Sequence, residues 1–429
     1  MSSNAKSRGF GKNGWMIIIF TLFIYMFTCT AADTLNVSVT AFASAYGWDS
    51  NQMLLFSAAG GFVGIIVSAV LGVVVAKKGV KIPTVVMLIA SALIWLFHGH
   101  VNSFITYGLA VILLTAFSNA LNLVSTQQIM SNWFPKKKGI ALGWATMGTC
   151  FSSAIMVAVF QGMFGMTISA PFNLMCVIFI ILAVITIFWF KQFPEEAGAY
   201  PDNEPITEEE RKANLEMLNN SKPVFTIGKL VRTKEMWMLA AIFGFVALGL
   251  VAVISQMVPR LVAVGLGQNT AIMYLTIASI IGIPASVIWG FIDQKLGTNK
   301  TVRIFCLLWT LMLVVSAVGS GMTSALIAVL SVIFYAILLG GMMNLMPSAI
   351  ISVFGRFDFA DANKIIMPLI IGIRSCAFLL VPVMLASAGS NVNGGYRNAF
   401  IVCAILSAIS TVLAFLLKDQ CIGRNSLDK

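Results

Sequence analysis

Charged residues are scarce in this chain of 429 residues. They make up 10% of the sequence, whereas hydrophobic residues make up 59%. A soluble domain carries about 25% charged residues, because its surface must be wetted by water. This scarcity of charge excludes an ordinary soluble protein and favours a protein that is embedded in a lipid bilayer.

The sequence signatures of enzymes and metal proteins are also missing. There are two histidines, the seven cysteines form no CxxC pair, and most cysteines lie inside apolar runs. Such cysteines are typical of small reduced core residues and not of a disulfide or metal framework. No nucleophile–base pair, phosphate loop or metal-ligand cluster is apparent. The sequence therefore predicts no enzyme, no bound metal and no cofactor.

Long apolar runs, separated by polar breaks, fill most of the chain. A helix crosses a bilayer with about 20 apolar residues. The runs predict an all-α integral membrane protein with twelve transmembrane helices: a six-helix bundle within 1–190, a cytoplasmic linker over 191–235 and a second six-helix bundle within 236–429. The predicted spans are 14–40, 53–76, 83–101, 105–131, 138–162, 168–190, 236–262, 268–292, 301–322, 325–353, 364–388 and 396–418.

The first apolar run follows three basic residues, as the apolar run of a signal peptide does. It continues past Asp33 to Val39 without a small-residue cleavage site. We therefore expect a retained first span and not a cleaved peptide.

Lysine and arginine concentrate in every second loop. This is the positive-inside pattern, which predicts that both termini lie in the cytoplasm and that the protein spans the inner (plasma) membrane. It also explains the net charge of +11 without a nucleic-acid partner. The predicted opposite-side loops hold only Arg260 and Arg397. The predicted cytoplasmic positions are Lys6, Arg8, Lys12, Lys77, Lys78, Lys81, Lys136, Lys137, Lys138, those from Lys191 through Lys234, Lys295, Lys300, Arg303, Arg356, Lys364, Lys418, Arg424 and Lys429.

The polar segment 194–220 contains proline, glycine and half of the acidic residues. Thr207 followed by Glu210 fits the capping box of a helix start. We interpret the segment as a solvated linker with one amphipathic helix, exposed and tolerant of change. A regulatory domain is the alternative.

Two charges are predicted to lie well inside spans, Arg374 and Asp33. A charge inside a membrane is costly, so each is a candidate functional residue. The forked guanidinium of Arg374 matches a carboxylate. A carboxylate such as Asp33 suits proton coupling in a low-dielectric cavity. The alternatives are structural: Arg374 pairs with a helix carbonyl or with Asp33, or Asp33 is a capped carboxylate near the outer end.

Two loops carry matching motifs, GVVVAKKGVK (72–81) and GFIDQKLGTNK (290–300). They resemble the loop motif of the major facilitator superfamily, Gly-x-x-x-Asp-x-x-Gly-Arg-Lys. In the first copy, Ala76 stands at the Asp position. In the second, Gln294 does, with Asp293 one place earlier. The matching positions are Gly72, Gly79, Lys81, Gly290, Gly297 and Lys300.

Four segments are similar to the oxalate/formate antiporter and monocarboxylate transporter group of that superfamily. They are NWFPKKKGIALGWATMG (132–148), GKLVRTKEMW (228–237), IWGFIDQKLG (288–297) and GGMMNLMPSAIISVFG (340–355). The resemblance implies two six-helix bundles around a midplane site. It also implies that Arg374 binds a substrate carboxylate, because oxalate-type transporters carry a basic residue in the eleventh helix. Their second basic residue, in the eighth helix, is absent here, where Ser286 stands at about that position. One carboxylate is thus better matched than two.

In this superfamily, helices one, four, seven and ten line the cavity. The resemblance therefore makes further polar and aromatic residues candidates for substrate binding. Hydrogen bonding between helices or core packing is the alternative for each. The candidates are Asn119, Asn122, Gln256, Asn344, Trp289 and Tyr335.

The sequence thus predicts a secondary transporter of a small organic anion, best matched by a monocarboxylate, that works by proton symport or anion exchange. We expect it to act as a monomer. The alternative is an exporter of drugs or larger hydrophobic acids with the same fold. A membrane enzyme or sensor is a third hypothesis, which no motif supports.

Overall fold

The computed structural model of the protein describes residues 9–220 and 225–423, and all regular structure in these residues is helical. Before the polar segment, spans 1 to 6 are formed by Gly11–Asp33 with Leu35–Tyr46; Ser50–Lys78; Lys81–Gly99; Phe104–Ala120, Leu121–Ser125 and Thr126–Trp133; Lys138–Phe151, Ser152–Met156 and Val157–Phe164; and Ala170–Phe188.

The chain between spans 6 and 7 contains two short 3₁₀ turns, Pro194–Ala197 and Pro201–Asn203, and two helices, Glu208–Asn220 and Ile227–Val231. After it, spans 7 to 9 are Lys234–Ser255 with Met257–Ala263, Gln268–Leu296 and Thr298–Gly321. Spans 10 and 11 share the helix Ala325–Ser375, which Ala377–Ser387 continues, and span 12 is Val392–Leu416.

Eleven stretches of the described residues are long and apolar enough to cross a membrane, and one of them, Ala325–Ser387, has 63 residues. At 1.5 Å per residue this stretch would be about 95 Å long, roughly three times the hydrocarbon core of a bilayer. It is interrupted at Gly355, whose φ of 72° and ψ of 173° are not helical. The interruption divides it into two spans, which gives twelve.

The direction of the chain reverses at Gly355. Before it, Ser348 reaches Asp293 near the end of span 8. After it, Lys364 lies against Gly72, near the end of span 2, and Ser375 lies against Gly61, about three turns back along span 2. Spans 10 and 11 therefore run in opposite directions from one shared end. We call this end, where Asp293, Gly355 and the polar segment meet, the linker face.

The predicted break between spans 10 and 11 is wrong in extent. The sequence predicted a polar break over 354–363, but the chain is helical on both sides of the single residue Gly355. Glycine accepts the positive φ of this turn, so a reversal needs no longer loop. Span 1 also differs from the continuous helix predicted over 14–40, because Thr34 separates Gly11–Asp33 from Leu35–Tyr46.

Spans from opposite sides of the polar segment pack backbone against backbone at the linker face. A Cβ atom added at Gly143 in span 5 would lie 2.9 Å from the carbonyl oxygen of Ser286 in span 8. A Cβ atom added at Gly72 in span 2 would lie 2.7 Å from the Cα atom of Lys364 in span 11. Only glycine permits helices to approach this closely, so the two sets of helices are closed against each other at this end.

The polar segment departs from the exposed linker that the sequence predicted. The capping box is confirmed: the backbone N–H of Thr207 donates to Glu210, and that of Glu210 donates to the Thr207 hydroxyl. However, Glu195 and Asp202 are each only 1% exposed. The Asp202 carboxylate accepts hydrogen bonds from backbone N–H groups of the loop between spans 4 and 5, and burial raises its pKa. Both residues are integrated into the linker face.

Arg260 is not the loop residue that the charge pattern predicted. It lies in Met257–Ala263 with 1% of its surface exposed, and its guanidinium donates to the Ser331 hydroxyl at 2.9 Å. Five of the predicted cytoplasmic charges lie outside the described residues, namely Lys6, Arg8, Lys222, Arg424 and Lys429. Which end of the molecule faces the cytoplasm stays a prediction.

Candidate functional site

Arg374 of span 11 reaches across to span 4. Its guanidinium donates a hydrogen bond to the Oδ1 atom of Asn119, and its side chain is half-buried. Gly64 of span 2 lies beside this pair: a Cβ atom added there would be 3.6 Å from Ile371 and 3.8 Å from the Asn119 amide. The contact therefore joins helices from both sides of the polar segment, about midway along span 4.

Within the part of the chain that the structure describes, no acidic partner neutralises Arg374. Among residues 9–220 and 225–423, its guanidinium takes part in none of the ion pairs, and Asn119 is its one hydrogen-bond partner. The alternative in which Arg374 pairs with Asp33 is therefore wrong for this structure. A guanidinium stays protonated and has five N–H donors, so most of its binding capacity is unused by the described residues.

Asp33 lies at the end of the first helical segment of span 1, directly before the break at Thr34. The hydroxyl groups of Ser152 and Ser153 in span 5 interact with its carboxylate. Its Oδ2 atom has no hydrogen-bond partner within the described chain, and the side chain is half-buried. An unpaired carboxylate oxygen in this setting is able to take up a proton or a hydrogen-bond donor.

Cys29 connects these two charges. Its thiol lies within electrostatic range of both Asp33 and Arg374, and it accepts a hydrogen bond of 3.2 Å from the Asn122 amide. The same amide donates to the Thr28 hydroxyl at 3.0 Å. Opposite charges therefore approach one thiol without pairing with each other. We call Cys29, Asp33, Asn119, Asn122 and Arg374 the central cluster.

Two π-helical turns place polar groups at this cluster. Leu121–Ser125 carries Asn122, and Ser152–Met156 carries Ser152. A π-helical turn contains one more residue than an α-helical turn and often occurs at functional sites. It rotates the side chains that follow, so Thr126 does not share the face of Asn119 and Asn122 on which α-helical spacing would place it. The Thr126 hydroxyl instead donates to the carbonyl oxygen of Asn122.

The other candidates named from the sequence lie apart from Arg374 or are packed. Gln256 accepts a hydrogen bond from Tyr396 at 3.2 Å. Trp289 is buried, with its indole N–H bonded to the Ile337 carbonyl at 2.9 Å. Asn344 is fully buried, and neither atom of its amide has a partner in the described structure.

Tyr335 is the one aromatic candidate that faces the centre of the molecule. Its ring lies 6.1 Å from that of Trp309, and it is 1% exposed. The phenol is within electrostatic range of Asp33 and Cys150, and its hydroxyl has no partner among the described groups. Tyr335 therefore borders the central cluster from span 10.

Ser286 occupies a contact between the two sets of helices and is fully buried. Its hydroxyl lies 2.7 Å from that of Thr146 and donates to the carbonyl oxygen of Gly143 at 2.9 Å. Span 8 therefore contributes a hydroxyl here, bonded to span 5, and no cation.

A second set of polar side chains, apart from the central cluster, lies at the linker face. The sequence pattern did not identify it. Asp293 is 2% exposed and accepts a hydrogen bond of 2.5 Å from Ser348. Lys138 donates to Ser352 and lies within electrostatic range of Asp293. These contacts connect spans 5, 8 and 10. Asp293 is therefore a charged residue inside the protein in addition to Arg374 and Asp33, the two that the sequence predicted.

The loop-motif residues lie at this same face. Gly79 and Gly297 have φ values of 76° and 85° and form the turns between spans 2 and 3 and between spans 8 and 9. A Cβ atom added at Gly290 would lie 2.5 Å from the carbonyl oxygen of Gly139. Lys81 begins span 3, and Lys300 is exposed. The glycines therefore have defined steric roles, whereas the structure gives Lys300 no buried partner.

The arrangement combines a half-buried central cation with a closed linker face. Such a cation, in a site bounded by amides, a thiol and a carboxylate, is suited to bind an anionic group reversibly. Among the described residues, Asp33 is near but no carboxylate forms an ion pair with Arg374.

Comparisons with known proteins identify the family of this chain. The sequence model of the Major Facilitator Superfamily matches residues 18–366. The oxalate:formate antiporter of Oxalobacter formigenes is 23% identical over 430 residues, which covers 95% of this chain and 92% of that protein.

Solved structures share the fold at low sequence identity. The proton:xylose symporter XylE superimposes with a TM-score of 0.71 at 12% identity and 94% coverage of both chains. The transporter FucP in its outward conformation gives 0.65 at 16% identity, and the human organic anion transporter MFSD10 gives 0.69 at 12% identity. Each of these two comparisons covers 94% of this chain and 99% of the other.

Proposed function

Because this chain belongs to the major facilitator superfamily of membrane transporters, we propose that it moves a small organic anion with a single carboxylate group across the inner membrane. The central cluster is the proposed binding site, and Arg374 is its principal anion-binding group. Transport proceeds by alternating access between the two ends of the molecule.

The observation that carries this proposal is the unpaired charge of Arg374. A cation inside a bilayer is costly, and insertion measurements place the cost at about 2.5–3.5 kcal/mol. Asn119 provides a neutral oxygen only, which orients the guanidinium without neutralising it. A substrate carboxylate would supply the missing charge and accept two parallel N–H bonds.

A single carboxylate fits better than two. A dianion would need a second cation on the opposite side of the site. Span 8 instead presents Ser286, and its hydroxyl is already bonded to Gly143 and Thr146. Asp33, which faces the same thiol as Arg374, would also repel a second carboxylate when it is ionised.

The names of two similar proteins point in the same direction. The curated relative is an oxalate:formate antiporter, and one structural neighbour is an organic anion transporter. The first of these supports anion exchange as one way to drive transport. The unpaired oxygen of Asp33 supports the other, proton symport.

Closure at the linker face supports the alternating-access step. Spans 2 and 11 and spans 5 and 8 are in backbone contact there, whereas Arg374 and Asp33 keep part of their surface exposed. We assign the linker face to the cytoplasm, so that the described state opens to the other side. The moving units are the proposed bundles within 1–190 and 236–429, joined by 191–235, in a monomer.

A panel of labelled solutes tests the proposal in proteoliposomes. Monocarboxylates should be taken up and should compete with one another, dicarboxylates should compete weakly, and lipophilic cations should not compete. Arg374→Gln should abolish the uptake, because a neutral amide cannot replace a charged fork. Arg397→Gln is the matched control, since Arg397 is exposed and its side-chain hydrogen bonds within the described residues go to its neighbour Asn398.

Two results would overturn the proposal. One is uptake of monocarboxylates by Arg374→Gln at the parental rate. The other is selective transport of lipophilic cations or of large hydrophobic acids, which would favour the exporter alternative with the same fold.

A further inference from the structure

His98 of span 3 lies inside the protein with both ring nitrogens unsatisfied. It is 3% exposed, and neither Nδ1 nor Nε2 has a hydrogen-bond partner in the described chain. Its ring stacks on Phe42 at 5.6 Å and packs at a tilt against Phe172 at 4.6 Å. A neutral imidazole has one N–H donor and one acceptor, and buried polar groups of this kind almost always have a partner.

An internal cavity adjoins this ring. The centre of a water molecule can occupy about 10 Å³ of this cavity. The lining of the cavity includes Thr34, Ser38, Trp95 and His98. A space of this size is at the lower limit for one bound water, and such a water needs two to four polar partners. The lining supplies that number.

The polar atoms around the cavity have complementary hydrogen-bonding roles. The Thr34 and Ser38 hydroxyls donate to the carbonyl oxygens of Thr30 and Thr34, both at 2.7 Å, so their oxygens are free to accept. The indole N–H of Trp95 is a buried donor without a partner among the described atoms. A molecule that both donates and accepts is required here. A cation does not fit, because Trp95 presents an N–H donor and the lining includes no carboxylate.

We propose that this cavity binds one water molecule, which links His98 and the Trp95 indole to the hydroxyl oxygens of Thr34 and Ser38. Thr34 is the residue that separates the two helical segments of span 1. The water therefore occupies the break in span 1, one residue beyond Asp33, and ties that break to span 3. The site is separate from the central cluster and does not depend on the substrate.

Radiolytic footprinting of the purified full-length protein tests this proposal. Hydroxyl radicals formed from a bound water oxidise the side chains that touch it, even when these side chains are buried. Trp95 should be oxidised several-fold faster than Trp309. The latter is an internal control: it is fully buried, its indole N–H also lacks a partner in the described structure, and it does not line this cavity.

Two substitutions at His98 separate the water from general packing. His98→Phe keeps an aromatic ring among Phe42 and Phe172 but removes both polar atoms, so oxidation of Trp95 should fall to the rate of Trp309. His98→Gln restores a donor and an acceptor and should keep the fast oxidation. If His98→Phe does not fold, Ser38→Ala provides the same comparison by removing one acceptor.

Equal oxidation of Trp95 and Trp309 in the parent would overturn the proposal, as would fast oxidation of Trp95 in folded His98→Phe. The measurement needs no substrate and no transport. Arg374→Gln should leave the Trp95 rate unchanged, so failure of the proposed anion transport and failure of the water site are distinguishable.

Discussion

The guanidinium of Arg356 donates two parallel hydrogen bonds to the carboxylate of Glu195, each 2.9 Å long. The two residues are 161 positions apart, and their side chains are 4% and 0% exposed. Glu195 follows span 6, and Arg356 directly follows the turn at Gly355. The polar segment is therefore fastened to the junction of spans 10 and 11, and this ion pair reinforces the closed linker face.

Removal of one partner of this ion pair should destabilise the protein strongly. Glu195→Gln leaves the Arg356 charge buried and unpaired, which typically costs about 3–5 kcal/mol. Thermal unfolding in detergent should show a large decrease in midpoint. The neighbouring Glu196→Gln should have little effect, because Glu196 is exposed. Equal midpoints for the two variants would show that the pair contributes nothing to stability.

Arg374→Lys should retain part of the proposed anion binding. Lysine keeps the positive charge but presents a single point donor in place of two aligned N–H groups. We expect a loss of about tenfold in affinity, the equivalent of roughly one charge-assisted hydrogen bond. Competition between labelled and unlabelled monocarboxylate measures it, with Arg397→Lys as the control. Affinity equal to that of the parent would argue against a bidentate contact.

Asp33→Asn should separate exchange from proton coupling. The amide keeps the size of the side chain and its capacity to accept from Ser152 and Ser153, but it cannot bind or release a proton. Anion exchange should persist, whereas uptake driven by a pH gradient across proteoliposomes should disappear. If the variant still accumulates substrate in response to pH, the coupling group lies elsewhere or no proton is involved.

Cys29 should report on occupancy of the site. It is half-buried in the central cluster, and the remaining cysteines that are not buried are Cys376 and Cys421. In a Cys376→Ser, Cys421→Ser background, a polar maleimide should label Cys29, and a transported monocarboxylate should slow the labelling. Cys29→Ser in the same background is the control for labelling elsewhere. Labelling that is insensitive to transported substrate would place the substrate away from Cys29.

Topology offers an independent test of the orientation. Both termini are expected in the cytoplasm, because basic residues concentrate in alternate loops. A reporter that functions only in the cytoplasm should therefore be active when it is fused after Lys429. Activity of a reporter that requires the outer side would reverse the assignment of the linker face.

The layout of the spans could be predicted from the sequence, because each apolar run records a requirement of the bilayer. Arg374 could be chosen for the same reason: a lone charge in an apolar helix stands out without any knowledge of its neighbours. The sequence could not identify Asn119 as the hydrogen-bond partner of Arg374, because several amides on spans 4 and 10 are equally possible partners.

Other parts of the site depend on contacts between distant segments. Cys29 resembles an ordinary small core residue until Asn122 and the two charges are placed around it. The π-helical turn at Leu121–Ser125 shifts the polar face of span 4. No residue type in this turn indicates that it contains one residue more than an α-helical turn. Glu195 was read as one of many solvated acids, because its partner follows a turn that the sequence placed in a longer loop.

The one-residue turn at Gly355 has a consequence for how the protein is made. In the described structure the single non-helical residue Gly355 separates spans 10 and 11, so no extended loop connects the two helices there. We expect the two helices to enter the bilayer together as a helical hairpin. The ribosome therefore delivers both apolar spans, with the charged residues Arg356, Asp358, Asp361 and Lys364 just after the turn, before either helix reaches its final place. A residue with a side chain at position 355 would disturb assembly before it affected the finished transporter.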